Sequence, residues 1–377
     1  MTSPKPAFER VALLLQGGGA LGSYQGGVYQ ALAEADLHPN CVSGISIGAI
    51  NAALIAGNPP ARRVEALRTF WEEVTEPPLG FPYISALFSP FQKGNDQLHA
   101  FTNELHGMMT AACGIKGFFE PRQVPPHLMA FAESVYDTSP LKTTLERLVD
   151  FDRLNNGEIW FSVGAVNVCS GNFKYFDSTE CRIRPEHIMA SGALPPGFPS
   201  VEIDGAHYWD GGVVSNTPLS WVLRSQSRED TLAFQVDLWK AEGSLPTNLS
   251  EADLRMKDIR FSSRTRANTD RFREIQRARR ALHRLLAHID DKSRLPPEDL
   301  QLLSDVADEK VYNIVHLIYR AKTYEGPSKD YEFSRESMLS HWDAGYRDAR
   351  ATLEHPEILH RPVSPDGVSI FDLHRQH

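Results

Sequence analysis

A chain of 377 residues, 41% hydrophobic and 23% charged, has the makeup of a self-folding globular protein with a substantial core, unlike a disordered or fibrous chain. Its formal net charge of -9 argues against nucleic acid as a general partner, because phosphate binding calls for a positive surface. The four cysteines, Cys41, Cys113, Cys169 and Cys181, show neither metal-ligand spacing nor the density of a disulfide scaffold, which fits a reducing compartment.

Met1 to Arg10 has no apolar core followed by a small-residue cleavage site, so it does not read as a secretory signal. No stretch approaches the roughly 20 apolar residues of a membrane-spanning helix. The expected location is cytoplasmic, with any membrane contact peripheral, at the inner face.

In chain order, RVALLLQ (Arg10 to Gln16) is a short apolar run ending at glycines, as expected of a strand buried on both faces. Gly17, Gly18 and Gly19 break it. From Gly22 to Ala35, Tyr24, Val28, Ala31, Leu32 and Ala35 recur at three- and four-residue spacing, the stripe of a helix lying on a sheet. A second such unit follows: the strand around Cys41 to Ile45 leads to Ser46, and IGAINAALIAG is helical until Gly57 and Pro59 stop it. Two strand–turn–helix units in succession imply a parallel sheet.

After the helix ARRVEALRTFWEEV, residues 77–137 lose periodicity. Long excursions of this kind are usually functional, and Phe81, Phe88, Phe91, Met108, Met109, Phe118 and Phe119 suit a lid over an apolar substrate. A helix near Pro140 precedes EIWFSVGAVNV and FKYFD, a hairpin turning at Cys169 to Asn172. RPEHIMASGALPPGFP reads as a short helix ended by paired prolines, VEIDGAHYWDGG as a tight strand pair, and TLAFQVDLW as a buried strand. On this reading the α/β core is complete by Trp239. From Leu254 to Arg284 eleven Lys or Arg face three Asp or Glu, with Phe272, Ile275, Leu282, Leu285 and Ile289 at helical spacing. Such a basic amphipathic helix either docks with its charges in water or contacts anionic membrane through residues 254–289. The remainder reads as a helical appendix.

Three motifs carry chemistry. Gly44, Ile45, Ser46, Ile47 and Gly48 form a Gly-x-Ser-x-Gly element between strand and helix, the context in which a strained turn projects a nucleophilic serine at the carboxyl end of a sheet. The amides of Gly17, Gly18 and Gly19 are placed to form an oxyanion hole. Gly17, Gly19 and Gly22 also satisfy the Gly-x-Gly-x-x-Gly pattern of a dinucleotide-binding fold, the main rival reading. That fold, however, ends its second strand on an acidic residue, whereas this strand runs into Ser43, Gly44 and Ile45, and Glu34 and Asp36 precede it. The third element is Asp210, followed by Gly211 and Gly212, at the end of a strand. A triad would also require a histidine held by an acid. His207 lies too near Asp210 along one strand to be an obvious partner.

Together, QGGGALG, GISIG, ASGALPPGFP and DGG, in this order across residues 8–240, resemble the bacterial patatin-like phospholipase family. The resemblance implies a three-layer α/β/α fold with a mostly parallel central sheet, a catalytic domain over 8–240 with 77–137 as an excursion, and a helical carboxyl-terminal extension over 250–377. It further implies a Ser-Asp dyad in place of a triad, with Ser46 as nucleophile, Asp210 as base and the glycine loop as oxyanion hole. One departure stands out: many members carry a basic residue where this chain has Leu21. The expected activity is lipid acyl-ester hydrolysis through an acyl-enzyme, of phospholipase A or esterase type, requiring neither metal nor cofactor. A non-catalytic membrane- or partner-binding module on the same scaffold is the alternative.

Overall fold

The computed structural model describes residues 7–77, 96–125, 130–224, 228–262, 265–290, 295–322 and 324–373. In chain order its elements are β1 (Arg10–Leu15), α1 (Ser23–Glu34), β2 (Cys41–Gly44), α2 (Ile47–Ala56), α3 (Arg63–Val74), α4 (Asp96–Cys113), β3 (Glu120–Pro121), β4 (Tyr136–Asp137), α5 (Ser139–Leu148) and α6 (Phe151–Asn155). There follow β5 (Trp160–Asn167), β6 (Phe173–Asp177), α7 (Pro185–Ser191), β7 (Val201–Ile203), β8 (Ala206–Asp210), α8 (Leu219–Arg224) and β9 (Thr231–Asp237). The last are α9 (Leu249–Phe261), α10 (Thr265–Ala287), α11 (Pro297–Val306), β10 (Tyr312–Ile318), α12 (Arg335–Leu353) and β11 (Val368–Phe371).

The sheet runs β11-β10-β9-β1-β2-β5-β8-β7, with β6 also on β5. From β11 to β5 every pairing is parallel, and the hairpin strands β6, β7 and β8 are antiparallel. Strand β1 is buried along its whole length, as its unbroken apolar run requires of a strand covered on both faces. Its side chains alternate between two cores: Val11, Leu13 and Leu15 pack on the side of α1, α2 and α3, whereas Ala12 and Leu14 join Leu219, Val222 and Phe272 of α8 and α10. The molecule is therefore a three-layer α/β/α fold with a mostly parallel central sheet.

The segment after Trp239 contains helices α9 to α12, in keeping with a helical extension, but it also gives the sheet β10 and β11. The α/β core is thus not complete at Trp239: β10 pairs in parallel with β9 from Tyr312 opposite Thr231 to Ile318 opposite Asp237. Helix α12 then returns to cover α1. The two backbones meet at glycines, for a Cβ on Gly27 would lie 1.8 Å from the Trp342 carbonyl oxygen and one on Gly345 would lie 2.0 Å from that of Tyr24. Polar bonds fix the register, with Tyr24 donating to Asp348 (2.8 Å) and Trp342 Nε1 to Gln30 (2.8 Å).

Two further expectations change. Within residues 77–137 lies an 18-residue helix, α4, whose mixture of Phe, His, Met and Gly hides its period; Phe81, Phe88 and Phe91 fall outside the described residues. The basic stretch from Leu254 to Arg284 is two helices rather than one, α9 and α10, and α10 buries Phe272 and Leu286 while Arg271, Arg277 and Arg284 stay in water. Among the described residues no helix is long and apolar enough to cross a membrane.

Gly345→Ala forces backbone against backbone at the α1–α12 contact, where no side chain can give way. It is expected to lower the unfolding free energy by about 3 kcal/mol, the upper end of ordinary overpacking, read as a lower urea midpoint; an unchanged midpoint would mean the helices separate freely.

Candidate functional site

The turn between β2 and α2 holds Ser46 at φ 55°, ψ -125°, a conformation strained for a residue with a Cβ. Small neighbours make it attainable: a Cβ on Gly44 would come within 2.2 Å of the Gly48 carbonyl oxygen, and one on Gly48 within 2.3 Å of that of Leu15. The Ser46 amide is shared between the carbonyl and the hydroxyl of Ser191, each at 3.1 Å, and the Ser191 hydroxyl donates in turn to the Gly164 carbonyl (2.7 Å) on β5. Ser191 lies inside the ASGALPPGFP motif, yet nothing in the sequence marked it as the anchor of the turn. Ser46 caps α2, so its hydroxyl sits at the positive end of that helix.

Asp210 ends β8, which lies antiparallel to β5 with Asp210 opposite Ala165. Its amide donates to the Ala193 carbonyl (2.9 Å), Gly211 packs so close to β5 that a Cβ would be 2.5 Å from the Gly164 carbonyl oxygen, and the Gly212 amide donates to the Asp210 carboxylate (2.6 Å). The Ser46 side chain opens onto the same cavity as this carboxylate. Burial pushes the Asp210 carboxyl up to about 7, and the Gly212 amide and the Ser46 hydroxyl oppose the rise. His207 points elsewhere, sharing a hydrogen bond with Ser200 (3.1 Å), and the described cavity lining contains no histidine.

The glycine loop runs beside Ser46: a Cβ on Gly17 would lie 2.9 Å from the Ser46 Cβ. The Gly17 amide is engaged at 3.4 Å with the Asn216 carbonyl, and its carbonyl accepts from Asn216 Nδ2 and Trp239 Nε1, both at 2.9 Å. Among the described residues the amides of Gly18 and Gly19 have no backbone partner. Gly19 has φ 55°, and Gly22 packs on Ile47, where a Cβ would be 2.6 Å from Cγ1. Leu21, at the position where a basic residue is common, is fully buried.

Sequence reading missed how much the carboxyl-terminal segment adds. The Asp330 carbonyl accepts from the Ala20 amide (2.9 Å), bracing the glycine loop, and Lys257 holds that support by donating to the Pro327 carbonyl (2.8 Å) and to Asp330 (3.2 Å). Main-chain contacts across some 300 residues leave no sequence signal. Ser46, Asp210 and Gly17 to Gly19 all open onto one cavity of about 420 Å³. Phe118, Phe119 and Phe198 form an aromatic wall, and Phe261, Tyr331 and Phe333 close the side built by the extension. Thr110 and Ala111 of α4 and Tyr136 line it too, so the described part of the 77–137 excursion does face the cavity.

The raised pKa of Asp210 has a consequence for stability. Between pH 3.8, where an ordinary aspartate ionises, and about 7, the folded chain holds a proton that the unfolded chain has lost. Stability from this group is therefore full below that window and falls as pH rises through it. Replacing Asp210 by Asn should flatten this part of the stability curve measured by urea unfolding from pH 4 to 8; an unaltered slope would mean the carboxyl ionises normally.

A profile of patatin-like phospholipases matches residues 13–223, spanning both the glycine loop and Asp210, and a second profile, described as patatin phospholipase, matches residues 259–365. Among solved structures, VipD from Legionella pneumophila is similar at 15% identity and a TM-score of 0.41, covering 98% of this chain and 72% of that one. Human GIVD cytosolic phospholipase A2, solved with methyl gamma-linolenyl fluorophosphonate, gives 13% identity and a TM-score of 0.34 over 93% of this chain and 58% of that one. The type III effector ExoU gives 17% and 0.24 over 70% and 53%. No curated protein sequence matches the chain. With the first profile covering more than half of its 377 residues, the chain belongs to the patatin-like phospholipase family.

Proposed function

We propose that the protein is a lipid acyl hydrolase that cleaves carboxylic esters through a Ser46–Asp210 dyad and an acyl-enzyme. The observation that carries this reading is the meeting of the strained Ser46 and the buried Asp210 carboxyl at the edge of one cavity lined largely by apolar side chains. An isolated serine is a weak nucleophile and needs an adjacent base. Asp210, with its carboxyl pushed up to about 7, is matched to that task, since a base works best with its pKa close to the working pH.

In the first half-reaction Ser46 Oγ attacks the ester carbonyl as its proton passes to Asp210. The charge developing on the carbonyl oxygen is met by the Gly18 and Gly19 amides, the loop donors that the Gly17–Asn216 bond leaves available. Asp210 returns the proton to the departing alkoxide, the C–O bond breaks, and Ser46 carries the acyl group. In the second half-reaction Asp210 takes a proton from water, whose oxygen attacks the acyl carbon; the fatty acid leaves and Ser46 recovers its proton. The Phe118, Phe119, Phe198 and Phe333 side chains seat the acyl chain, since burying apolar surface supplies about 25 cal/mol per Å².

Ser46→Ala and Asp210→Asn should each cut hydrolysis of p-nitrophenyl esters by at least about 1000-fold without loss of fold. Because Asp210 must be ionised to accept the proton, kcat/KM should rise with pH through a midpoint near 7 and be lost below it. Full activity in either variant, or a profile flat from pH 5 to 9, would refute the dyad.

A further inference from the structure

Gly17, Gly18 and Gly19 have the widest backbone freedom any residue offers, yet an amide stabilises a developing charge only when its direction is fixed beforehand. A closed circuit of hydrogen bonds fixes it. The Gly17 carbonyl accepts from Asn216 Nδ2 and Trp239 Nε1, both at 2.9 Å. Asn216 Nδ2 also donates to the Phe261 carbonyl (2.9 Å), which accepts from Gln16 Nε2 (3.1 Å), and Gln16 Oε1 accepts from the Trp239 amide (3.1 Å) to close the ring. Gln16, Asn216 and Trp239 are buried, where such bonds are stronger than in water.

The circuit sets the Gly18 amide through the peptide bond itself. In a planar trans peptide the N–H points opposite to the C=O, and the Gly17–Gly18 bond is trans, the cis bond among the described residues being Pro195–Pro196. Two donors on the Gly17 carbonyl therefore turn the Gly18 N–H away from Asn216 and Trp239 and hold it there. A Cβ on Gly18 would be 2.8 Å from Leu238 Cδ1 and 3.1 Å from Trp239 Nε1, so peptide and ring cannot shift separately. The Asn216 amide has one workable orientation, since turned over its oxygen would face two carbonyl oxygens. Each anchor is itself held. Gln16 donates to Thr217 Oγ1 (3.0 Å) and accepts from the Leu238 amide (2.6 Å). Lys329 Nζ sits over the Trp239 ring, 4.8 Å from its centre, and pairs with Asp258 (2.8 Å), while the Phe261 ring packs 5.2 Å from the same indole. Asp258, Phe261 and Lys329 belong to the carboxyl-terminal segment, which thus reaches the glycine loop through Trp239 and Asn216.

We propose that Asn216 and Trp239 are positioning residues for the reaction: by clamping the Gly17 carbonyl they aim the Gly18 amide at the oxygen on which charge develops. Their effect is on donor strength as well as direction, because a carbonyl that accepts two bonds polarises its peptide and makes the N–H of that peptide a stronger donor. The carboxyl-terminal segment, through Phe261 and Lys329, then acts on the rate of the chemical step and not only on the shape of the cavity. This role rests on reading Ser46 as the nucleophile and the Gly18 amide as an oxyanion donor.

Trp239→Phe keeps an aromatic ring beneath Lys329 and removes one donor; Asn216→Ala removes the other. Each should lower kcat for a p-nitrophenyl ester at least about tenfold with KM little changed, and the double variant about 100- to 1000-fold, the loss that follows outright removal of an oxyanion donor. In Trp239→Phe the pH midpoint should stay near 7, since burial and not Trp239 raises the Asp210 carboxyl. A long-chain trifluoromethyl ketone separates positioning from a merely structural role: Ser46 Oγ bonds the ketone carbon, the carbonyl π pair becomes the oxyanion, and the serine proton passes to Asp210. Affinity for this ketone should fall in step with kcat/KM, whereas affinity for the matching long-chain alcohol, which forms no adduct, should hold. The two substitutions are independent, so either carries the test where the other chain does not fold. Unchanged kcat in both variants, or equal loss of ketone and alcohol affinity, overturns the proposal and leaves the dyad standing. Full activity in Ser46→Ala overturns the dyad and this role with it.

Discussion

Helix α2 crosses the end of β1 so closely that no side chain fits between them, and the rest of the site follows from that approach. With Gly48 lying against the Leu15 carbonyl and Gly44 against Gly48, the chain passes from strand to helix in two residues, Ile45 and Ser46, with Ser46 at a positive φ. Strain of this kind amounts to about 1–3 kcal/mol and persists only where surrounding bonds over-determine it. Ser191 supplies those bonds by accepting from the Ser46 amide at two oxygens and tying itself to β5. The same strand carries β8 in register, so that one set of sheet bonds fixes both the serine and Asp210.

In the proposed dyad, electrostatics separates the two residues' roles. Asp210 is 2% exposed, has no cation as partner among the described residues, and relies on the Gly212 amide and the Ser46 hydroxyl to offset the loss of water. A buried carboxylate so sparsely supported holds its proton near neutrality and binds one readily, which is the property asked of a base. The surrounding apolar wall strengthens each of those hydrogen bonds by excluding solvent. The carboxyl-terminal segment belongs to this arrangement rather than standing beside it: Asp330 steadies the glycine loop, Phe261 and Phe333 close the cavity, and β10 carries the sheet beyond β9.

How much of this could be read from sequence depended on the range of the contacts. Ser46 and its glycines, the strands β1, β2, β5, β6, β7, β8 and β9 and their hairpins all declare themselves within a few residues, because strand alternation and turn glycines are local signals. Asp210 had no local mark distinguishing it from a turn aspartate; the order of four motifs pointed to it, and the fold places it against Ser46. The 18 residues of α4 escaped because their apolar positions follow no clean period. The short run YNIVHLI of β10 sits among helices, and its partner strand lies some 75 residues earlier, so only the sheet discloses its place. Ser191 and Asp330 act through main-chain atoms or a single hydroxyl, which no residue pattern reports.

The central claim is that Ser46 itself carries the acyl group. Mixing the intact protein with an excess of a long-chain p-nitrophenyl ester, quenching in acid within the first turnover and mapping the peptides by mass spectrometry tests it directly. The account predicts an added acyl mass on the peptide containing Ser46, absent in Ser46→Ala. An ester hydrolysed at full rate with no adduct at any time, or an adduct on a different residue, would contradict it.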